Sequence, residues 1–304
     1  MSPVSLPDEV RAACAWVVER ARSVSVDEER IGAYAAELPE AAGGGERADS
    51  SSEAAAAFAI CMNAINFGSG WWPTVRKRPG MSGYATMAAG VEDRFRAEGP
   101  WSAAELAEMD AGGIAGVLGQ DPGHPLMELF AAALRDVGER LLGEHGSRFL
   151  AVAEGAGSIP ELAATFAGWD SFADVSTYDG REVPFFKRAQ LAAADLHRAG
   201  IAKRPGIDRL TAFADNLVPH VLRVDGVLEL DPGLAAAIEA GVLLAHGSPE
   251  EVELRAGAVH AVELLSRATA DALPPAEIDG LLWNRGGDRR YKSVPRPRSR
   301  NTAY

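Results

Sequence analysis

Asp215 is the acid in this sequence whose surroundings are hardest to explain by packing alone. It stands in the stretch Leu210-Thr211-Ala212-Phe213-Ala214-Asp215-Asn216-Leu217-Val218-Pro219-His220, among apolar neighbours. Pro219 biases Val218 away from helical geometry, which puts Asp215 in or near the last turn of a short helix. A carboxylate there faces the negative end of the helix dipole. Two readings fit such an expensive placement: a chemical role, or a structural Asp held by hydrogen bonds.

A second segment places cations where a helix does not favour them. In Pro184-Phe185-Phe186-Lys187-Arg188-Ala189-Gln190 the proline suits a first helical turn, so Lys187 and Arg188 fall at the positive end of the dipole. An anion bound at that helix start would make the placement favourable. Solvated or snorkelling side chains are the other reading. A third segment, Asn63-Ala64-Ile65-Asn66-Phe67-Gly68-Ser69-Gly70-Trp71-Trp72-Pro73, ends a helix and then presents two adjacent tryptophans. Neighbouring side chains on a helix point to different faces, so both cannot enter one core. Stacking on a planar base, worth ~1 to 3 kcal/mol per base, is one use for them. A cap over the end of the core is the other.

Composition narrows the chemistry. Cys14 and Cys61 are the two cysteines, far apart, which leaves neither a disulfide framework nor a Cys-based zinc pattern. The six histidines are scattered without a close pair, so no metal site and no cofactor are expected, and hydrolysis would have to run on carboxylates. The formal charge of −13 argues against coating a nucleic-acid backbone. Between Arg285 and Arg300, however, seven basic side chains face the single acid Asp288. A basic end on an acidic protein suits a small anionic ligand or a solvated tail.

The elements that must position these residues read as helices. Apolar residues recur at helical spacing through Leu6, Val10, Cys14 and Val17, and through Leu126, Leu129, Phe130, Leu134 and Val137. Helix starts are marked by Ser25-x-x-Glu28, Ser102-x-x-Glu105, Ser158-x-x-Glu161 and Ser248-x-x-Glu251. The best strand-like piece runs from Asp174 to Val183 around a Tyr178-Asp179-Gly180 turn. The chain therefore reads as all-α or mainly α, with at most a short hairpin. Gly43 to Ser52 reads as a flexible loop, followed by a helix from near Glu53. Residues 1–304 are expected to form one unit, as a single body or as two packed helical lobes. No apolar run approaches the ~20 residues that span a bilayer, and the start MSPVSLPDEV has no secretory pattern, so a cytoplasmic location is expected.

Five pieces, NAINFGSGWW, PFFKRAQLAAADLH, LTAFADNLVPHVL, AEIDGLLW and PRPRSRNTAY, occur in an order that resembles the queuosine salvage family, the queuosine 5'-phosphate N-glycosylases. The resemblance covers the chain from about Asn63 to Tyr304. His220 departs from it where Gln is expected after Val-Pro, as does a shortened Gly- and Arg-rich stretch after Trp283.

The resemblance implies an all-helical fold similar to helix-hairpin-helix DNA glycosylases and hydrolysis of queuosine 5'-monophosphate to queuine and ribose 5-phosphate. It implies Asp215 as the carboxylate beside an oxocarbenium-like sugar and Lys187 at the phosphate or reacting ribose. Phe67, Trp71 and Trp72 would flank the base, Asn66 would read its polar edge, and Asp195 would meet a cation or sugar hydroxyl. Arg298, Arg300 and Tyr304 are expected at the phosphate, with His220 and Trp283 also on the substrate. The expected partner is this small nucleotide, with no stable nucleic-acid complex and no membrane. A helix-hairpin-helix DNA glycosylase and a non-enzymatic, tRNA-associated helical binding protein are the alternatives.

Overall fold

The computed structural model describes residues 4–39 and 52–304; the glycine-rich loop expected at Gly43–Ser52 lies outside them except for Ser52. The described residues are mostly helical. The first elements are α1 (Leu6–Val18), β1 (Val24–Val26), α2 (Glu28–Ala36), α3 (Glu53–Ala64), α4 (Gly83–Glu98), α5 (Ala103–Ala107) and α6 (Ala111–Leu118). There follow α7 (Pro125–Glu144), α8 (Phe149–Glu154), α9 (Ile159–Ala167), β2 (Val175–Tyr178), β3 (Arg181–Pro184), α10 (Lys187–Arg198), α11 (Val218–Val224) and β4 (Leu228–Leu230). The last helices are α12 (Pro232–Glu239), α13 (Pro249–Ala268), α14 (Pro275–Arg285) and α15 (Arg289–Lys292).

Three of the four expected serine starts are capped as their spacing dictates. Ser102 and Glu105 form a reciprocal capping box on α5. Ser158 and Ser248 accept the amides of Glu161 and Glu251 on α9 and α13. Those acids reach back to the amides of Gly157 and Gly247, so the same reciprocity is shifted by one residue. Ser25 is a correction: it lies in β1 opposite Glu229, and Asp27 caps α2 by accepting from Glu29 and Arg30. Pairing with a strand 200 residues away claims the Ser25 backbone first.

The expected hairpin is present as β2 and β3, turned by Asp179 at φ 44 and Gly180 at φ 78, the two positive φ values of a tight two-residue turn. The expectation of at most one hairpin is corrected by a second two-stranded sheet, β1 with β4. Its three-residue strands are too short to show a period of two.

The core is organised around α13, which packs against α1, α2, α11, α14 and β1. It buries charged side chains as well as apolar ones, and an unpaired charge there would cost several kcal/mol, so each has a partner. One oxygen of Glu253 accepts the amides of Arg22, Ser23 and Val24, and the other accepts the Tyr178 hydroxyl. Glu263 pairs with Arg11 at 2.9 Å. Away from α13, α10 packs on α9 and α3, while α7 carries α5 and α6. This stacking brings the start of α10 to the end of α3, where two of the three chemically suggestive segments meet. Among the described residues no helix is long and apolar enough to cross a membrane.

Candidate active site

The stretch 211–217 that carries Asp215 is not helical. Side chains from three helices hold it in place of its own ladder. Gln190 of α10 accepts the Thr211 amide at 3.0 Å and donates to the Thr211 hydroxyl at 2.8 Å. Asp279 of α14 accepts the Phe213 amide at 2.9 Å, and Arg255 of α13 donates to the Ala214 carbonyl at 3.0 Å. Asn216 donates to the Pro297 carbonyl at 2.8 Å, which ties the basic C-terminal segment to the same stretch.

Asp215 therefore sits before a helix, and its expected place in a last helical turn is corrected. Its Oδ1 accepts the amides of Leu217 at 2.7 Å and Val218 at 3.0 Å as α11 begins. Pro219 falls in the first turn of that helix, where its missing N–H is no loss, so it starts a helix that the sequence reading has it end. Capping in this way satisfies orphan donors and places the carboxylate at a positive end.

Lys187 is the first residue of α10, and Pro184, expected inside that helix, closes β3 instead. Phe186 takes the left-handed conformation at φ 49, ψ 41 and offers no side-chain cap. Asp174, before β2, supplies the cap by accepting the Lys187 amide at 3.0 Å. The Lys187 ammonium donates to the Asn66 carbonyl at 3.1 Å, where α3 has run out into the loop before the tryptophans. Arg188 turns the other way: it is buried, bonded to the Ala64 and Ser171 carbonyls, and packed over the rings of Phe67 and Phe172.

Asp215, Lys187 and Asp279 are 8%, 6% and 4% exposed, so their charges act with little solvent between them. Burial pushes Lys187 down to about 8, with Asp215 pulling it the other way. Burial and then Asp215 hold the Asp279 carboxyl well above the usual carboxylate range, against the Phe213 amide that favours its anion. Desolvation and the neighbouring Asp215 thus both favour the protonated form of Asp279.

Beside this cluster lies a cavity of about 240 Å³, lined in part by Ser69, Trp72, Lys77, His220, Arg296 and Arg298. Lys292 joins the wall, which among the described residues contains no acidic side chain. Leu217, whose amide donates to Asp215, is part of the cavity wall, so the cavity and the buried carboxylate adjoin. His220 approaches the Tyr291 carbonyl at 3.0 Å through Nε2. A carbonyl only accepts, so Nε2 carries the hydrogen and the buried, unpartnered Nδ1 is an acceptor. Burial lowers the His220 pKa and favours this neutral ring. Among the described residues, no group of three His, Cys, Asp or Glu side chains is placed to hold a metal ion.

Of the residues expected at the site, Asp215, Lys187 and the Asn66 backbone converge, and Trp72, His220 and Arg298 line the adjoining cavity. Asp195 is half-buried on α10, paired with Arg198 and bonded to Asn63, which in turn takes a long contact from Asn66. The others stand elsewhere. Phe67 is in the core, edge-on to Phe130 and under Arg188. Trp71 is buried with the exposed Arg300 over its ring, and Trp283 is exposed, edge-on to Tyr84. Tyr304 is buried against the Arg255 guanidinium, and its carbonyl accepts the Gly68 amide. Sequence reasoning assigned no role to Asp279 or Lys77, and took Lys292 and Arg296 only as members of the basic C-terminal segment. The signal for Asp279 was a lone acid between Ile278 and Leu282 on the buried face of a helix.

The family model described as "Queuosine salvage protein" matches residues 47–304. The chain belongs to the queuosine salvage protein family. The protein from Sphaerobacter thermophilus named queuosine 5'-phosphate N-glycosylase/hydrolase is 32% identical over 265 residues, covering 83% of this chain and 82% of its own. Proteins of the same name from Dictyostelium discoideum and Mus musculus are 37% identical over 141 residues and 29% over 198. Those alignments cover 44% of each chain and 59% of each chain, respectively. The queuosine salvage match takes in every residue of the cluster and of the cavity wall.

Proposed function

We propose that this chain is a nucleotide N-glycosylase that hydrolyses queuosine 5'-phosphate to queuine and ribose 5-phosphate, the substrate carried by the names of its relatives. The observation that carries the reading is the pairing of a buried, amide-capped Asp215 with an adjoining cation-lined cavity. A sugar phosphate has both the reacting carbon and the anion that such a pair would take.

In the reaction the C1'–N bond breaks and its electron pair leaves with the base, which takes up a proton, while a water oxygen bonds to C1'. Queuine has carbon where a purine has N7, so protonation there cannot activate it, and stabilising the sugar cation matters more. The Asp215 carboxylate is the anion for that task in a site largely closed to water. Asp279 is the proton store beside it, and Lys187 binds the ribose or phosphate while holding Asp215 in place. Lys77, Lys292, Arg296 and Arg298 take the 5'-phosphate, Trp72 meets an apolar face of the ligand, and His220 accepts a hydroxyl hydrogen through Nδ1.

We further read the helical body as similar to helix-hairpin-helix DNA glycosylases, working as one unit, since its proposed site residues run from Asn66 to Arg298. A cavity of this size beside a buried acid suits a free nucleotide better than a duplex, which needs a broad basic surface. A cytoplasmic location goes with a substrate released by RNA turnover.

Chromatography of queuosine 5'-monophosphate incubated with the protein and EDTA tests the reading. Free queuine with the wild type, and none with Asp215→Asn, is the expected outcome. No release by the wild type would overturn it.

A further inference from the structure

Arg255 lines neither the cavity nor the acid cluster, yet its side chain reaches both segments that deliver the site. Its Nη1 and Nη2 donate to the two Asp174 oxygens at 2.9 and 2.7 Å. Its Nε donates to the Ala214 carbonyl at 3.0 Å, one residue before Asp215. Asp174 in turn accepts the Lys187 amide through its side chain and the Phe185 and Phe186 amides through its carbonyl. The guanidinium lies 4.0 Å from the Phe185 ring centre and 4.8 Å from that of Tyr304, so its plane is fixed as well as its edge.

We propose that Arg255 is a positioning residue that couples Lys187 to Asp215, acting through Asp174 on one side and the Ala214 carbonyl on the other. This rests on the glycosylase reading for its effect on turnover, while the coupling itself is a property of the fold. Phe186 in left-handed backbone is disfavoured for a bulky residue and persists because its neighbours over-determine it. That turn aims the Lys187 side chain at Asn66 and Asp215. The stretch 211–217 has no ladder of its own, so the Asp215 carboxylate goes where its anchors place it. One planar fork sets both, and the Asp174–Arg255 pair, 1% exposed on each side, does so with little competition from water.

Asp174→Asn and Arg255→Lys test the coupling by hydrogen exchange of peptides covering 185–190 and 213–219, with turnover of queuosine 5'-monophosphate alongside. Asp174 makes no hydrogen bond to 213–219, so Asp174→Asn is expected to speed exchange at least tenfold in both peptides; faster exchange in 185–190 alone overturns the proposal. Arg255→Lys keeps the charge but loses the fork, and is expected to loosen 213–219 and lower kcat about 100-fold, the scale for misplaced catalytic groups, with KM within threefold. A kcat within threefold of wild type overturns it. A wild type without turnover removes the glycosylase reading and leaves the exchange result to decide the coupling. Should neither variant fold, denaturant-dependent exchange of the wild type decides: coupling requires the two segments to open together, and separate openings overturn it.

Discussion

Asp215 Oδ1 lies 2.7 Å from the Leu217 amide nitrogen and accepts its hydrogen, so the carboxylate at the centre of the candidate site also holds the amides that open α11. Asp215→Asn keeps the shape and removes the charge. It is expected to lower kcat by roughly 10³-fold, the scale for losing a preorganised electrostatic contact, while substrate still binds. Equilibrium binding of queuosine 5'-monophosphate measured with single-turnover rates separates the two effects. Normal turnover by this variant would remove Asp215 from the mechanism.

Lys187 is expected to give the reaction an alkaline limb. Its ammonium, pushed down to about 8 by burial, is charged below that pH and neutral above it. kcat/KM is therefore expected to fall as pH rises through about 8, since it reports groups on the free enzyme. Lys187→Met should abolish that limb together with most of the activity. A wild-type profile flat to pH 10 would exclude the ammonium from the rate-limiting step.

The cavity cations are expected to separate phosphate from nucleoside recognition. Arg298→Ala is expected to raise KM for the 5'-monophosphate about tenfold, in line with ~1.5 kcal/mol for a charge-assisted hydrogen bond, and to leave the nucleoside's kcat/KM unchanged. Added salt should weaken the monophosphate in the wild type more than in the variant. Equal losses on both substrates would place Arg298 away from the phosphate.

Gly138 supplies a stability test away from the site. A Cβ there would come within 2.7 Å of the Ala103 carbonyl oxygen and meet further backbone of α5, which cannot swing aside as a flexible side chain could. Gly138→Ala is expected to destabilise by about 1 to 3 kcal/mol despite the higher helix propensity of alanine. Urea unfolding measures it, and a gain in stability would show that α5 and α7 can separate freely.

Gly83 tests the cavity wall in the same way. A Cβ there would lie 2.6 Å from the Trp72 ring, so Gly83→Ala is expected to displace a side chain that lines the cavity. The expected outcome is a several-fold rise in KM with a smaller loss of stability, read from kinetics and urea unfolding together. An unchanged KM would remove Trp72 from substrate contact.

By itself the sequence determined the helical class, the serine starts of α5, α9 and α13, and the turn at Asp179-Gly180. It also singled out Asp215 and Lys187. The class, the starts and the turn rest on local physics: a hydroxyl reaches an amide three residues on, and a positive φ is settled within its own turn. The same reasoning misread Pro219, because proline marks a helix end or a helix start equally well until something fixes the residues before it. Gln190, Asp279 and Arg255 fix them, from 21, 66 and 41 residues away in sequence from the groups they hold. Tertiary structure alone decided that Asp279 joins Asp215, that Phe67 and Tyr304 go into packing, and that Arg298 lines the cavity while Arg300 stays exposed. Burial and charge act through space, and spacing along a chain carries no record of which distant side chain will satisfy a strap that has no ladder of its own.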